Sequence, residues 1–286
     1  MIKKEKRYIY DGIKAEYKDA EIVICGVPYD GTCSNKPGTR FGPNELRKEI
    51  YGLETYSPYQ DKDLKEFSFC DMGDLELPIG NSEHVVSTIF EDYQTILEDK
   101  KRIITIGGEH LITYPIVKAY LKEYEDLYVI HYDAHTDLRD EFFGEKLSHA
   151  NVIKLIYDEM KEGKIYQFGI RSGTKEEFEF GKTHTNLHFN TLDGLSHIIK
   201  DIGKHPIYVT IDLDVLDPSV FPGTGTPEPG GVSFNDLIES LLLLKGLNIV
   251  GADIVELSPH YDASGVSNVV AAKVLREVSL LMGVKV

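Results

Sequence analysis

The sequence predicts an α/β fold, a parallel sheet with helices on both faces. Two observations carry this. Eight short apolar runs, at 21–27, 66–71, 102–106, 127–132, 164–170, 186–190, 206–212 and 248–255, read as strands, and amphipathic helical segments separate most of them. Strands that alternate with helices pair in parallel, and the helices then cover the sheet on both sides. No linker, repeat or low-complexity stretch divides the 286 residues, so one domain, 1–286, is expected.

The elements follow in order. Strand 21–27 carries Cys25 and leads into a long loop, 28–42. Strand 66–71 carries Cys70. A thiol within a strand reads as buried and inert, and Cys25, Cys33 and Cys70 lack metal-type spacing, which fits a reducing cytoplasm. Helix 82–99 has Ser82 as its expected N-cap. Strand 102–106 ends in Gly107-Gly108, where backbone must bend tightly or approach something closely. Strand 127–132 runs toward a second long loop, 138–149, and then helix 150–162, closed by Gly163. Strands 164–170, 186–190 and 206–212 precede the third long loop, 215–232. Helix 233–245 opens with Ser233-Phe-Asn-Asp236, a capping box in which Asp replaces the usual Glu, and Gly246 closes it. The strand 248–255, expected to be central and buried, and a helix over 267–282 complete the chain. The three loops are too long for simple connectors and overhang one edge of the sheet, where they would wall a pocket.

Three acidic and histidine clusters stand at that edge: Gly107-Gly108-Glu109-His110, Asp133-Ala134-His135-Thr136-Asp137 and Asp212-Leu213-Asp214. In open α/β sheets, sites lie outside the carboxyl ends of the strands. If the chain stays extended past residue 132, Asp133, His135 and Asp137 point the same way, and Asp212 and Asp214 repeat the spacing. Any one cluster alone is weak, since Asp-x-Asp and Gly-Gly are common in turns. Together they crowd five carboxylates, four of them Asp, and two imidazoles, which requires cations. Mixed His and carboxylate ligation suits Mn²⁺, Zn²⁺ or Fe²⁺ better than Ca²⁺, and a ligand set with four carboxylates and no thiolate tilts the choice toward a harder ion such as Mn²⁺. Two ions about 3.5–4 Å apart can activate a water for hydrolysis. Ions that close need shared carboxylates, and Asp133 and Asp212 are the natural candidates.

Bulk properties narrow the classes. Hydrophobic residues make up 42% and charged ones 27%, and no run approaches a membrane span. The start, Met1-Ile-Lys-Lys-Glu-Lys-Arg7, has no apolar stretch behind it, so no secretory signal is expected. The formal charge of −16 opposes nucleic-acid binding and suits either a small cationic ligand or plain solubility.

The three clusters in this order resemble the ureohydrolase family of arginases and agmatinases, and more closely its agmatinase branch. Further matches are Pro37-Gly-Thr-Arg-Phe-Gly-Pro43, Asp212-Leu-Asp-Val-Leu-Asp-Pro218, Pro222-Gly-Thr-Gly-Thr-Pro-Glu228 and Asp253-Ile-Val-Glu-Leu-Ser-Pro259. The resemblance implies a three-layer α/β/α fold with a central, mostly parallel sheet, and two Mn²⁺ per chain. His110, Asp133, Asp137 and Asp212 would hold one ion and Asp133, His135, Asp212 and Asp214 the other. A metal-bridging hydroxide, oriented by Asp137, would attack a guanidinium bound by Glu256, and His149 would pass a proton to the leaving amine. The other histidines, His131 among them, are taken as structural. A trimer or hexamer is the oligomer that the family implies.

Agmatine, cleaved to putrescine and urea, is the expected substrate. Residues 138–141, Leu-Arg-Asp-Glu, lack the Asn with which arginases read an amino acid. Arg139 leaves guanidinobutyrate and formiminoglutamate open beside arginine and aminopropyl-agmatine, although an ion pair with Asp140 or Glu141 is expected to occupy it. Two readings of other classes remain: an aspartate-nucleophile phosphatase using Asp212 and Asp214, and a non-catalytic relative.

Overall fold

A computed structural model describes residues 15–160 and 163–283. The strands are β1 (Ile22–Val27), β2 (Tyr56–Ser57), β3 (Lys62–Asp63), β4 (Phe69–Asp74), β5 (Arg102–Gly107), β6 (Tyr128–Tyr132), β7 (Ile165–Ile170), β8 (Asn186–Phe189), β9 (Ile207–Asp212) and β10 (Ile249–Val255). The helices are α1 (Gly42–Ile50), α2 (Ser82–Glu98), α3 (Thr113–Glu123), α4 (Val152–Met160), α5 (Lys175–His184), α6 (Leu195–Ile202), α7 (Phe234–Leu242) and α8 (Val266–Met282). Eight strands form one sheet in the order β4-β1-β5-β10-β9-β6-β7-β8, parallel throughout, while β2 and β3 make a small antiparallel pair. The parallel sheet read from the alternation is therefore present. The chain builds outward to both edges before β9 and β10 return to fill the middle.

Alternate residues of each strand face opposite helical layers. Ile104, Ile106, Ile130, Tyr132, Val209 and Ile211 pack with Leu46, Leu195, Leu237 and Leu275, from α1, α6, α7 and α8. On the other face Ile103, Val129, Tyr208 and Val250 meet Ile89, Tyr93, Val117, Tyr120 and Ile153, from α2, α3 and α4. A fully buried Ile of this kind contributes about 1.5–3 kcal/mol. With apolar residues on both faces, the central strands read as continuous hydrophobic runs, which is why they were legible. β10 is buried along its whole length, as expected.

Several boundaries differ from expectation. The N-cap of α2 is Asn81, not Ser82: Asn81 is extended and its Oδ1 accepts the His84 N–H at 2.9 Å, while Ser82 is already helical and its hydroxyl meets Tyr29 at 3.0 Å. α4 starts at Val152 because His149–Asn151 form a 3-10 turn, and its expected close before Gly163 involves 161–162, outside the described residues. The residues Met1–Arg7 also lie outside them. Cys25 is buried as expected, but Cys70 is only half-buried, because β4 is an edge strand. α7 has its capping box, with Ser233 and Asp236 bonded reciprocally, but it ends at Leu242, and Gly246, at φ 86°, lies in the turn that follows.

The turn before α8 is tied by Asp262, which accepts from the backbone and hydroxyl of both Ser264 and Ser267. Burial works against its charge, but these four bonds hold its pKa down to about 2, from an ordinary 3.8. A depressed folded pKa gives stability that is present above the unfolded pKa and lost as pH falls toward 2. Asp262→Asn is expected to cost about 2 kcal/mol at pH 7 and clearly less at pH 3. Urea unfolding at both pH values checks this. An equal loss at both would assign the effect to packing instead.

Candidate metal centre

The adjacent strands β5, β10, β9 and β6 supply the predicted ligands and Glu256. Their registers keep the strand ends level: Ile106 lies beside Ile254, Val255 beside Asp212, and Ile211 beside Tyr132. Asp212 ends β9, and Asp133 and Glu256 follow directly on β6 and β10. His110 is carried round from β5 by Gly107-Gly108. Only glycine fits at Gly108, because a Cβ there would lie 1.9 Å from the Tyr29 carbonyl oxygen. The close approach is used: Gly108 N–H donates to Val27 and its carbonyl accepts from Glu256 N–H, both at 2.9 Å.

His110 stands at the middle of the cluster. Its Nδ1 lies 3.0 Å from Asp133 Oδ2, 3.3 Å from Asp137 Oδ2 and 3.4 Å from Asp212 Oδ2, yet it is buried without a hydrogen bond. Its Nε2 sits 2.8 Å from Thr210 Oγ1. The Thr210 hydroxyl donates to Asp253 at 2.6 Å, so toward His110 it accepts. Nε2 therefore donates to Thr210, and Nδ1 faces three carboxylate oxygens. Burial works against a charge on this imidazole, but Asp133, Asp137 and Asp212 hold its pKa well above the usual 6.5; a bound ion would displace that proton and leave the tautomer that ligates through Nδ1.

His135 faces the other side, its Nδ1 2.9 Å from Asp214 Oδ2 and 3.5 Å from Asp133 Oδ1. Asp133 thus looks at both histidines. Among the described residues, two groups have donor atoms close enough for one ion each, His110 with His131, Asp133 and Asp137, and Asp133 with His135 and Asp214. Asp212 joins them through His110, and its Oδ1 accepts the Asp214 N–H at 2.8 Å.

The convergence is not the one expected from alternation along extended chain. β6 stops at Tyr132, Asp137 takes a left-handed φ of 53°, and Asp214 lies in a 3-10 turn capped by Asp212. Glu256 is also left-handed, at φ 65°. Such backbone costs on the order of 1–3 kcal/mol for a bulky residue and is retained where the fold fixes a functional geometry.

The electrostatics follow from burial. Asp133, Asp137, Asp212, Asp214 and Glu256 are all buried. Burial raises the pKa of Asp137 to about 7, helped by the Asp133 charge. Asp212 is pushed well up by burial and by Asp214 and Asp133, and Glu256 by burial and Glu109. Asp133 goes the other way: burial opposes its charge, but the histidines around it hold it well below the carboxylate range. Bound cations would restore the remaining charges and release protons.

Above the cluster lies a cavity of about 290 Å³, lined among others by Ser34, Arg139, Phe142, His149, Thr226 and Glu256. All three long loops contribute to its walls, as anticipated, and residues 172–177, from the end of β7 into α5, add a further side. Loops 28–42 and 215–232 are pinned together by the Asn35 amide on the Gly225 carbonyl at 3.1 Å. His149 donates its backbone N–H to Thr32 Oγ1 at 3.2 Å, its Nε2 lies 3.3 Å from Ser34 Oγ, and its Nδ1 is buried without a partner. Burial, then the neighbouring His135, lowers its pKa to about 4, so it is neutral at pH 7. Glu256 spends one oxygen on the His110 N–H at 2.8 Å.

Arg139 does not pair with Asp140 or Glu141. Its Nε meets Glu177 at 3.3 Å and its guanidinium stacks on Phe142, 4.5 Å from the ring centroid. Asp140 points instead to Lys154 at 3.4 Å. Glu177 is buried and also accepts from Thr136, Leu138 and Thr174, so it locks the start of loop 138–149 onto α5.

Two residues at the site were missed. Arg171 donates to the carbonyls of Asp214 (2.8 Å) and Glu228 (2.7 Å) and so fastens loop 215–232. No local signal marks it. His131, taken as structural, has its Nε2 2.8 Å from Asp133 Oδ2. Here a signal existed, because residues two apart in a strand share a face.

Residues 20–281 match the model of the arginase family. The chain belongs to the arginase family. Among curated relatives, the agmatinase of Bacillus anthracis is 45% identical over 268 residues, covering 92% of each chain. The mitochondrial guanidino acid hydrolase of Homo sapiens is 35% identical over 270 residues, 90% of this chain and 77% of that protein. A solved structure from Clostridium difficile has a TM-score of 0.92 at 51% identity, covering 94% of this chain and 99% of that one. The protein is accordingly an enzyme, a ureohydrolase with the arginase-like α/β fold. Membership also removes the phosphatase reading, which left two of the three clusters without a task. Among the described residues, no helix is long and apolar enough to cross a membrane.

Proposed function

We propose that this arginase-family enzyme hydrolyses agmatine to putrescine and urea at a binuclear Mn²⁺ site. The observation that carries the reaction is the buried His110 Nδ1 facing three carboxylate oxygens, with Asp133 turned to a second histidine. His110, Asp133, Asp137 and Asp212 would hold one ion and Asp133, His135, Asp212 and Asp214 the other, so that Asp133 and Asp212 would serve both. Bound there, the ions supply Lewis-acid activation of water at neutral pH.

The remaining steps belong to side chains. Asp137 orients the attacking water on the guanidinium carbon. Glu256, with one oxygen committed to His110 N–H, offers the other to a guanidinium N–H. His149, neutral at pH 7, accepts a proton and returns it to the leaving nitrogen, so that water and guanidinium become urea and an amine. The acidic cavity stabilises a substrate that is cationic at both ends. Arg139, its charge already opposed by Glu177, neither repels the distal ammonium strongly nor stands free to bind a carboxylate. The likeness to agmatinases supports the same tail. The proposal includes one catalytic domain, a cytoplasmic setting in polyamine synthesis, and a homo-oligomer, trimer or hexamer.

With Mn²⁺ present, agmatine should give urea and putrescine in equal amounts, with kcat/KM exceeding that of arginine by roughly 10⁴-fold, the discrimination available to a site lacking polar partners for the rejected group. Aminopropyl-agmatine, guanidinobutyrate and formiminoglutamate complete the panel. Faster turnover of any of these, or of arginine, would refute agmatine as the substrate while leaving the ureohydrolase chemistry intact.

A further inference from the structure

A buried polar chain beneath Asp133 has no part in the proposed mechanism. His131, Gln167 and Thr136 are fully buried and Thr185 nearly so, and such groups persist only when their hydrogen bonds are made. Gln167 Nε2 lies 2.8 Å from the Thr136 carbonyl, and Thr185 Oγ1 lies 2.7 Å from Gln167 Oε1. A carbonyl can only accept, so the amide nitrogen must be the atom facing Thr136, and this fixes the amide's orientation. The same nitrogen lies 3.2 Å from His131 Nδ1. An amide nitrogen can only donate, so Nδ1 accepts and the imidazole proton is on Nε2. That Nε2–H points at Asp133 Oδ2, 2.8 Å away.

We infer that His131, with its tautomer set by Gln167, is a positioning residue that orients the shared carboxylate Asp133 for metal and is not itself a ligand. The inference rests on the metal-site reading above. Asp133 Oδ2 takes the His131 N–H on one side and faces His110 Nδ1 at 3.0 Å on the other, while Oδ1 takes the His135 backbone N–H. Both oxygens are thereby held in one rotation, each with capacity left for an ion. The arrangement also separates the two histidines that flank Asp133 in sequence. His135 has Nδ1 open toward Asp214; His131 has its Nδ1 occupied and its Nε2 protonated, so neither nitrogen is free to ligate.

The test is Mn²⁺ binding by calorimetry, with metal content per chain, for the unsubstituted enzyme and for His131→Phe, His131→Gln and Gln167→Leu. Removing an outer partner of a ligand typically costs 10–100-fold in metal affinity. His131→Phe should weaken binding by about that factor while two ions still bind at saturation. His131→Gln, which restores an N–H donor, should recover most of the loss. Gln167→Leu frees the imidazole to change tautomer and should weaken binding in the same direction, which keeps the test available if His131→Phe does not fold. Unchanged affinity in His131→Phe and Gln167→Leu would overturn the inference, as would loss of one whole ion in His131→Phe alone, which would make His131 a ligand. Failure of the unsubstituted enzyme to bind Mn²⁺ would instead remove the metal-site reading on which this stands.

Discussion

Asp133→Ala is expected to lose at least one ion per chain and essentially all turnover. Asp133 faces three histidines: its two oxygens meet His110, His131, and the ring and backbone of His135. Deleting it removes a donor from both candidate ion sets at once and leaves the buried His131 N–H unsatisfied, which adds about 1–3 kcal/mol of instability. His135→Ala touches only the set with Asp133 and Asp214, so it should weaken one ion and spare the other. Metal analysis after exhaustive dialysis, beside urea release, distinguishes the two. Two ions retained in Asp133→Ala would contradict the sharing.

The second large effect separates substrate binding from proton delivery. Glu256→Gln keeps the shape but removes the charge opposed to the guanidinium, and should lower kcat/KM by 10²–10³-fold, the usual worth of one preorganised electrostatic contact. The amide can no longer match both its contacts, since one carboxylate oxygen already accepts from His110 N–H. His149→Ala should keep both ions and slow kcat by about 10²–10⁴-fold, as expected for loss of a general acid. Added imidazole should restore part of the His149→Ala rate and none of the Glu256→Gln rate. Metal loss in His149→Ala, or full activity across pH, would make His149 structural.

How much of this was legible follows from what is local in the chain. A strand buried on both faces announces itself as an apolar run, and a cluster of Asp and His at its end needs no partner to be noticed. Asp133, Asp137 and Asp212 could therefore be named before their meeting point at His110 was known. Strand order could not be read, because nothing within 206–255 says that β9 and β10 return to the centre of the sheet. The partner of Arg139 was misread for the same reason. Asp140 and Glu141 are near in sequence, while Glu177 is brought up from α5, where its capping bond to Thr174 already holds it in place. The expected alternation through 133–137 failed because the chain leaves the sheet at Tyr132 and turns, as the positive φ of Asp137 records. His131 is the instructive omission. It lies within β6, two residues before Asp133 and on the same face, where the alternation does hold.

In the proposed site two ions share Asp133 and Asp212. Anomalous scattering at the manganese edge from Mn²⁺-soaked crystals tests it most directly. The expected result is two peaks per chain, about 3.5–4 Å apart, each within bonding distance of Asp133 and Asp212, with His110 on one and His135 on the other. A single peak, or two peaks of which only one touches Asp133, would contradict it.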